Sequence, residues 1–138
     1  MKLIIAGSRD LVVDPAFISN VMDRYNIPID TIKEIVSGGA KGMDGCGEYW
    51  AKEHLVPVIR FMADWDTHNK AAGPIRNKQM ADYADKALVI MHKGGSPGSQ
   101  NMIKQMQKLG KEVFVYEVIL QKKEVRNVPT RRLFSRHS

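Results

Sequence analysis

The sequence has one cysteine, few aromatic residues and no long hydrophobic run. Each scarcity removes a class of protein. Cys46 has no partner for an internal disulfide, which excludes a disulfide-stapled scaffold and fits a reducing compartment. In its setting of small residues Cys46 reads as a buried, inert thiol. The longest apolar stretches, LIIA and VFVY, fall far short of the roughly 18 residues of a membrane span. One lysine and the short run LIIA precede Gly7, too little for a signal peptide, so the expected location is cytoplasmic, with no membrane partner. His54, His68, His92 and His137 lack metal-ligand spacing and cysteine companions, so no metal site is expected. Of the four, His68 is singled out because it falls in a long loop near the presumed pocket.

What is present describes one soluble domain. The 138 residues are 43% hydrophobic and 26% charged, enough to bury a core. The net charge of +6 is concentrated at one end. Residues 121–138 hold Lys122, Lys123, Arg126, Arg131, Arg132 and Arg136 against Glu124 alone, so five of the six excess positive charges sit there. The basic character therefore belongs to the tail, not to the body of the domain. The expected organisation is a folded unit over residues 1–120 and an extended or partly disordered basic tail over 121–138.

Five short apolar runs recur: KLIIA (2–6), EIVS (34–37), VPVIRF (56–61), ALVIM (87–91) and EVFVY (112–116). They are continuous rather than alternating, as strands buried on both faces are. Helical patterns lie between them. Asp14-Pro15 reads as an N-cap and first helical residue, followed by Phe17, Ile18, Val21, Met22 and Tyr25 at helical spacing. A second helix is expected from Met43 or Asp44 through Glu53, and a third from Gly73-Pro74 through Tyr83. A fourth runs from about Ser99 to Leu109, closed by Gly110, with Met102 and Met106 on its core face. The strand–helix alternation predicts an α/β fold, an approximately five-stranded parallel sheet with helices on both faces.

Ligands of such sheets bind beyond the carboxyl ends of the strands, and the unusual residues fall there. GSRD (7–10) follows the first strand, SGGAKGMDG (37–45) the second, ADWDTHNKAAGPIRN (63–77) the third and HKGGSPGSQN (92–101) the fourth. Two of these stretches are glycine-rich and open a helix, where bare backbone and unpaired amides suit a phosphate. Ser96 and Ser99 add hydroxyl donors. Arg9 and Arg76 lie at neighbouring strand ends; a cation near a helix start runs against the dipole and is better explained by an anion. The P-loop pattern GxxxxGK[ST] is absent from this stretch. No dinucleotide fingerprint follows the first strand, which disfavours ordinary NAD-dependent hydride transfer. Asp44 and Asp64 are candidates for a ribose contact or for catalysis, with helix capping an equal reading for Asp44. Trp65 is assigned to core packing.

Assembled in order, GSR (7–9), SGGAKGMD (37–44), ADW (63–65), AGPIRN (72–77) with Met80, and GGSPGS (94–99) resemble the YspA-type branch of the SLOG superfamily, related to the Lonely Guy phosphoribohydrolases and DNA-processing protein A. The resemblance spans roughly residues 1–118. It implies a Rossmann-like fold and a pocket for a nucleotide or nucleotide-derived phosphorylated ligand. Matching by motif, Ser8, Arg9, Gly38, Gly39, Asp44, Arg76, Asn77, Gly95, Gly98 and Ser99 would line that pocket, together with Ser96. One departure matters. The phosphoribohydrolase motif PGGxGTxxE ends in a glutamate that serves in base–ribose cleavage, and Met102 stands in its place, unable to act as acid or base. Asn77 likewise replaces the lysine of the family's Arg-Lys pair.

The leading expectation is therefore a nucleotide-binding protein with no resident cofactor assigned. The alternatives are a nucleotide hydrolase, N-glycosidic or phosphohydrolytic, using Asp44 or Asp64, and a DNA- or RNA-binding module using the basic tail. A homo-oligomer pairing through its helices is also compatible with the resemblance.

Overall fold

The computed structural model describes residues 1–119. The expectations for the basic tail, and for a boundary at residue 120, lie outside the described residues.

Five strands form one parallel sheet: β1 (Lys2–Gly7), β2 (Glu34–Ser37), β3 (Val58–Arg60), β4 (Lys86–His92) and β5 (Glu112–Val118), in the order β3-β2-β1-β4-β5. In register, Ile4 lies against Val36 on one side and Ala87 on the other. The continuous apolar runs are explained by two cores, one on each face. Leu3 and Ile5 of β1, with Leu88 and Ile90 of β4, point to the face covered by α1 (Pro15–Arg24) and α2 (Met43–Glu53). Ile4 and Ala6, with Ala87, Val89 and Met91, point to the face covered by α4 (Ala72–Tyr83) and α5 (Pro97–Lys108). Successive side chains alternate between faces, and both faces are dry. The α/β fold with helices on both sides is as expected, and it is Rossmann-like.

Local chemistry sets the helix ends. Asp14 Oδ1 accepts the Phe17 amide at 2.9 Å and Pro15 begins α1. The Ser96 hydroxyl accepts the Ser99 amide and Pro97 begins α5. At the far end of α4, Lys111 Nζ donates to the carbonyls of Ala81, Asp82 and Ala84, supplying partners that helix ends lack.

Two boundaries differ from expectation. Strand β3 is three residues long, not six, because Pro57 has no amide to donate to a ladder and β3 is a sheet edge. The stretch 63–77 is more ordered than a loop leading to Gly73. Asp64 caps a four-residue helix α3 (Trp65–His68) by accepting the Thr67 amide at 3.1 Å, and a 3₁₀ turn at Asn69–Ala71 runs into α4 at Ala72.

The strand order places the site. Strands β1 and β4 are neighbours, yet the chain leaves β1 toward one face and β4 toward the other. The connections diverge at their carboxyl ends and open a crevice there.

Candidate functional site

The crevice is a cavity of about 650 Å³, within the range of small-molecule sites. Ser8 organises it. Its amide donates to the Ile90 carbonyl and its Oγ accepts the His92 amide at 2.9 Å, joining the ends of β1 and β4. The Ser8 carbonyl receives the Met43 amide at 3.2 Å and so seats the start of α2 against the same point. Beyond Ser8, Arg9 and Asp10 are exposed and line the cavity's rim. Asp10 pairs with His92 at 3.0 Å, while Arg9 makes no hydrogen bond or contact ion pair among the described residues.

The second wall comes from the loop after β2 and from α4. Arg76 donates from Nη1 to the Gly38 carbonyl at 2.7 Å and from Nε to Asn77 Oδ1 at 3.0 Å. Its Nη2 has no hydrogen-bond partner among the described residues. Asn77 also donates to the Gly98 carbonyl and to Asn101 Oδ1, tying α4 to the first turn of α5. Its amide therefore holds Arg76 and the α5 terminus in one frame. Asp44 accepts the Ala40 amide at 3.1 Å. It does not cap α2: Gly42 occupies the cap position and Asp44 is the second helical residue.

These charges are desolvated. Burial pushes the Asp44 carboxyl up to about 6, against the Ala40 amide, Arg76 and Arg9, which favour its ionised form. Burial, with Arg9, lowers the Arg76 pKa, and Asp44 opposes them. Four of the five buried polar residues in the described structure, Ser8, Asp44, Asn77 and Ser99, line this cavity. Polar groups are costly to bury unless partnered, so their convergence marks the cavity as built rather than incidental. Its floor is apolar, from Ala6, Met80 and Met102.

Most residues singled out in the sequence converge here: Ser8, Arg9, Gly38, Asp44, Arg76, Asn77, Gly95, Ser96, Gly98 and Ser99 all line the cavity. Gly39 and Asp64 do not. Gly39 faces the Met62 sulfur, and the Asp64 carboxylate is exposed and engaged with Thr67. The assignment of Trp65 to the core is corrected: its side chain is 49% exposed and lines the cavity, because the Asp64 cap turns the segment into α3 above α4. The choice of His68 is corrected as well. His68 is exposed away from the cavity lining, whereas His92, the last residue of β4, belongs to it. Lys70 and Asp10 complete the charged lining. A signal for His92 and Asp10 was available in their positions, each at the carboxyl end of a strand run. Among the described residues no group of His, Cys, Asp and Glu is arranged to hold a metal ion, and no helix is long and apolar enough to cross a membrane.

Fold and cavity together define a Rossmann-like protein with a cationic, partly apolar crevice at the point where its strand order reverses. Residues 1–68 match the YAcAr family, described as the YspA, cpYpsA-related SLOG family. The YspA-type SLOG relationship expected from the motifs is thereby supported over that part of the chain; AGPIRN and GGSPGS lie beyond it. A gene 61 protein of Mycobacterium phage D29 is 32% identical over 82 residues, covering 55% of this chain and 65% of the phage protein. The chain thus spans just under two thirds of that relative's length. No solved structure matches significantly.

Proposed function

We propose that the crevice binds a nucleotide or a nucleotide-derived phosphorylated ligand. The observation that carries this reading is the arrangement of Arg76. A half-buried guanidinium is fixed by Gly38 and Asn77 with Nη2 left over among the described residues, and Arg9 lines the same cavity. A guanidinium so held suits a phosphate's oxygens. The first turn of α5 adds amides: Ser96 serves Ser99, and the amide of Gly98, at the second helical position, has no acceptor within the helix. SLOG relationship favours a nucleotide-related ligand among phosphorylated molecules. A cytoplasmic setting accords with the single cysteine.

The test is thermal stability of the full chain against nucleotides, nucleotide sugars, dinucleotides and a short DNA oligomer. A ligand at about 100 times its dissociation constant stabilises the fold by about 2.7 kcal/mol, a shift of several degrees. The shift should vanish in Arg76→Ala and weaken in Arg9→Ala. Binding unaffected by both variants, or no binding by any nucleotide, would sink the proposal.

A second reading, hydrolysis of the bound nucleotide, is favoured by Asp44. Met102 has no proton to give or take, but a buried carboxyl with a pKa near 6 on the cavity wall does. Release of free base or phosphate, abolished in Asp44→Asn with ligand binding retained, would establish it. No turnover at high protein concentration leaves a binding protein.

A further inference from the structure

We infer that Trp65 is a stacking platform for a nucleobase, so that the crevice takes base-bearing nucleotides in preference to base-free sugar phosphates. This rests on the proposed phosphate-binding role of the crevice and adds a base-binding group to it.

The molecule has two tryptophans, used in contrasting ways. Trp50 is fully buried, donates from Nε1 to Ser19 Oγ at 2.9 Å and stacks on His54. Trp65 is half exposed, its Nε1 makes no hydrogen bond and its ring stacks on no aromatic ring among the described residues. Leaving an indole in water forgoes the burial that a core position would provide. The segment is nevertheless held: Asp64 caps it and α3 passes through a single 3₁₀ turn into α4. The indole edge lies beside Gly73, where an added Cβ would sit at 3.4 Å from Trp65 Cη2. Gly73 and Arg76 are three residues apart on α4, about 4.5 Å along its axis, so indole and guanidinium stand along one wall. Met80 and Met102 also line the cavity, and their thioethers pack well against aromatic faces. A planar π-surface and a fixed cation side by side along one wall suit the base and phosphate of a nucleotide. A sugar phosphate would satisfy only the cation.

The experiment compares purine and pyrimidine 5′-mononucleotides with ribose 5-phosphate on the full chain, by calorimetry and tryptophan emission. Trp65→Ala should weaken nucleotide binding about 5- to 150-fold, the range for loss of one base–aromatic stack. It should leave ribose 5-phosphate binding unchanged. Trp65→Phe should retain most of the affinity. Nucleotide should quench emission in the native chain and leave it unchanged in Trp65→Phe, where only buried Trp50 remains. Should Trp65→Ala fail to fold, the phenylalanine variant and the sugar-phosphate comparison decide alone. Nucleotide and ribose 5-phosphate binding equally, both lost in Arg76→Ala and neither altered at Trp65, overturns this inference and leaves the phosphate reading standing. Binding of neither probe overturns both.

Discussion

The two glycine-rich loops look alike as sequence and differ as structure. In the loop after β2 the glycines make room for the protein itself. A Cβ on Gly38 would lie 2.6 Å from Arg76 Nη1 and 2.9 Å from Asp44 Oδ2. One on Gly42 would lie 2.3 Å from the Arg9 carbonyl oxygen and 2.4 Å from that of Ser8. In the loop after β4 the space around Gly94 is empty and at Gly98 only Ser96 Oγ, 3.9 Å away, comes near, while at Gly95 a Cβ would lie 2.6 Å from the Met91 sulfur, a flexible side-chain end. Glycine content therefore does not distinguish a loop that packs from a loop that leaves room. The first loop supports charged side chains; the second leaves a helix end open. A phosphate cradle of two equivalent walls is the simpler idea, and the geometry favours a division of labour between them.

The largest effect that would test the contrast is at Gly42. Its φ of +73° and the two carbonyls pressed against it make Gly42→Ala strained in both backbone and packing. The expected loss is about 3 kcal/mol or more, read as a lower urea midpoint. A loss below about 1 kcal/mol would show that α2 is not seated on Ser8 as tightly as the distances indicate.

Asp44→Asn should move stability in the other direction and expose its pH dependence. The folded pKa, about 6, lies above the ordinary value of 3.8. The folded state then holds this proton more tightly than the unfolded chain, so no penalty exists below about pH 4. The penalty grows as pH rises through 6 and is constant above it. Two pKa units correspond to at most about 3 kcal/mol at neutral pH. The variant keeps an oxygen for the Ala40 amide, so it should be more stable than the native chain at pH 8 and equal to it near pH 4. The first turn of α5 carries no acid, and Gly98→Ala should leave the native pH profile unchanged.

Gly38→Ala is an intermediate case, because its obstructing neighbours are side-chain ends rather than backbone. About 1–2 kcal/mol is expected, with nucleotide binding reduced along with it as Arg76 is displaced. Retention of full affinity would detach Arg76 from the ligand.

The difference between the loops also marks where sequence reasoning reaches its limit. Asp14-Pro15 and the five apolar runs are local signals, and each gives an element where it was expected, although β3 is shorter than its run. The convergence of Ser8, Arg76 and Asn77 followed from one rule, that strand ends meet. What sequence could not supply was a side chain's surroundings. Trp65 looks like core until α3 is known to stand at the rim, a result of one capping bond from Asp64. The Asp10–His92 pair requires β1 and β4 to be neighbours, and strand order is not written in local pattern. Gly39 belongs to the same motif as Gly38 yet turns toward Met62, a distinction of one residue that spacing alone does not make.

The smallest effect on stability carries the sharpest statement about the second loop. Gly98 lies in the first turn of α5 with ordinary helical backbone, and a methyl group there meets nothing closer than 3.9 Å. Replacing a helical glycine by alanine restricts the unfolded chain, so Gly98→Ala should stabilise the fold by about 0.5 kcal/mol. The same methyl group projects from a residue that lines the crevice and supplies an open amide to it. If that space belongs to a ligand, nucleotide affinity must fall while stability rises. Thermal shift without and with a mononucleotide reads both quantities in one titration. A more stable protein that binds as before would mean that the room beside Gly98 is unused, and that the charged loop after β2 does the binding alone.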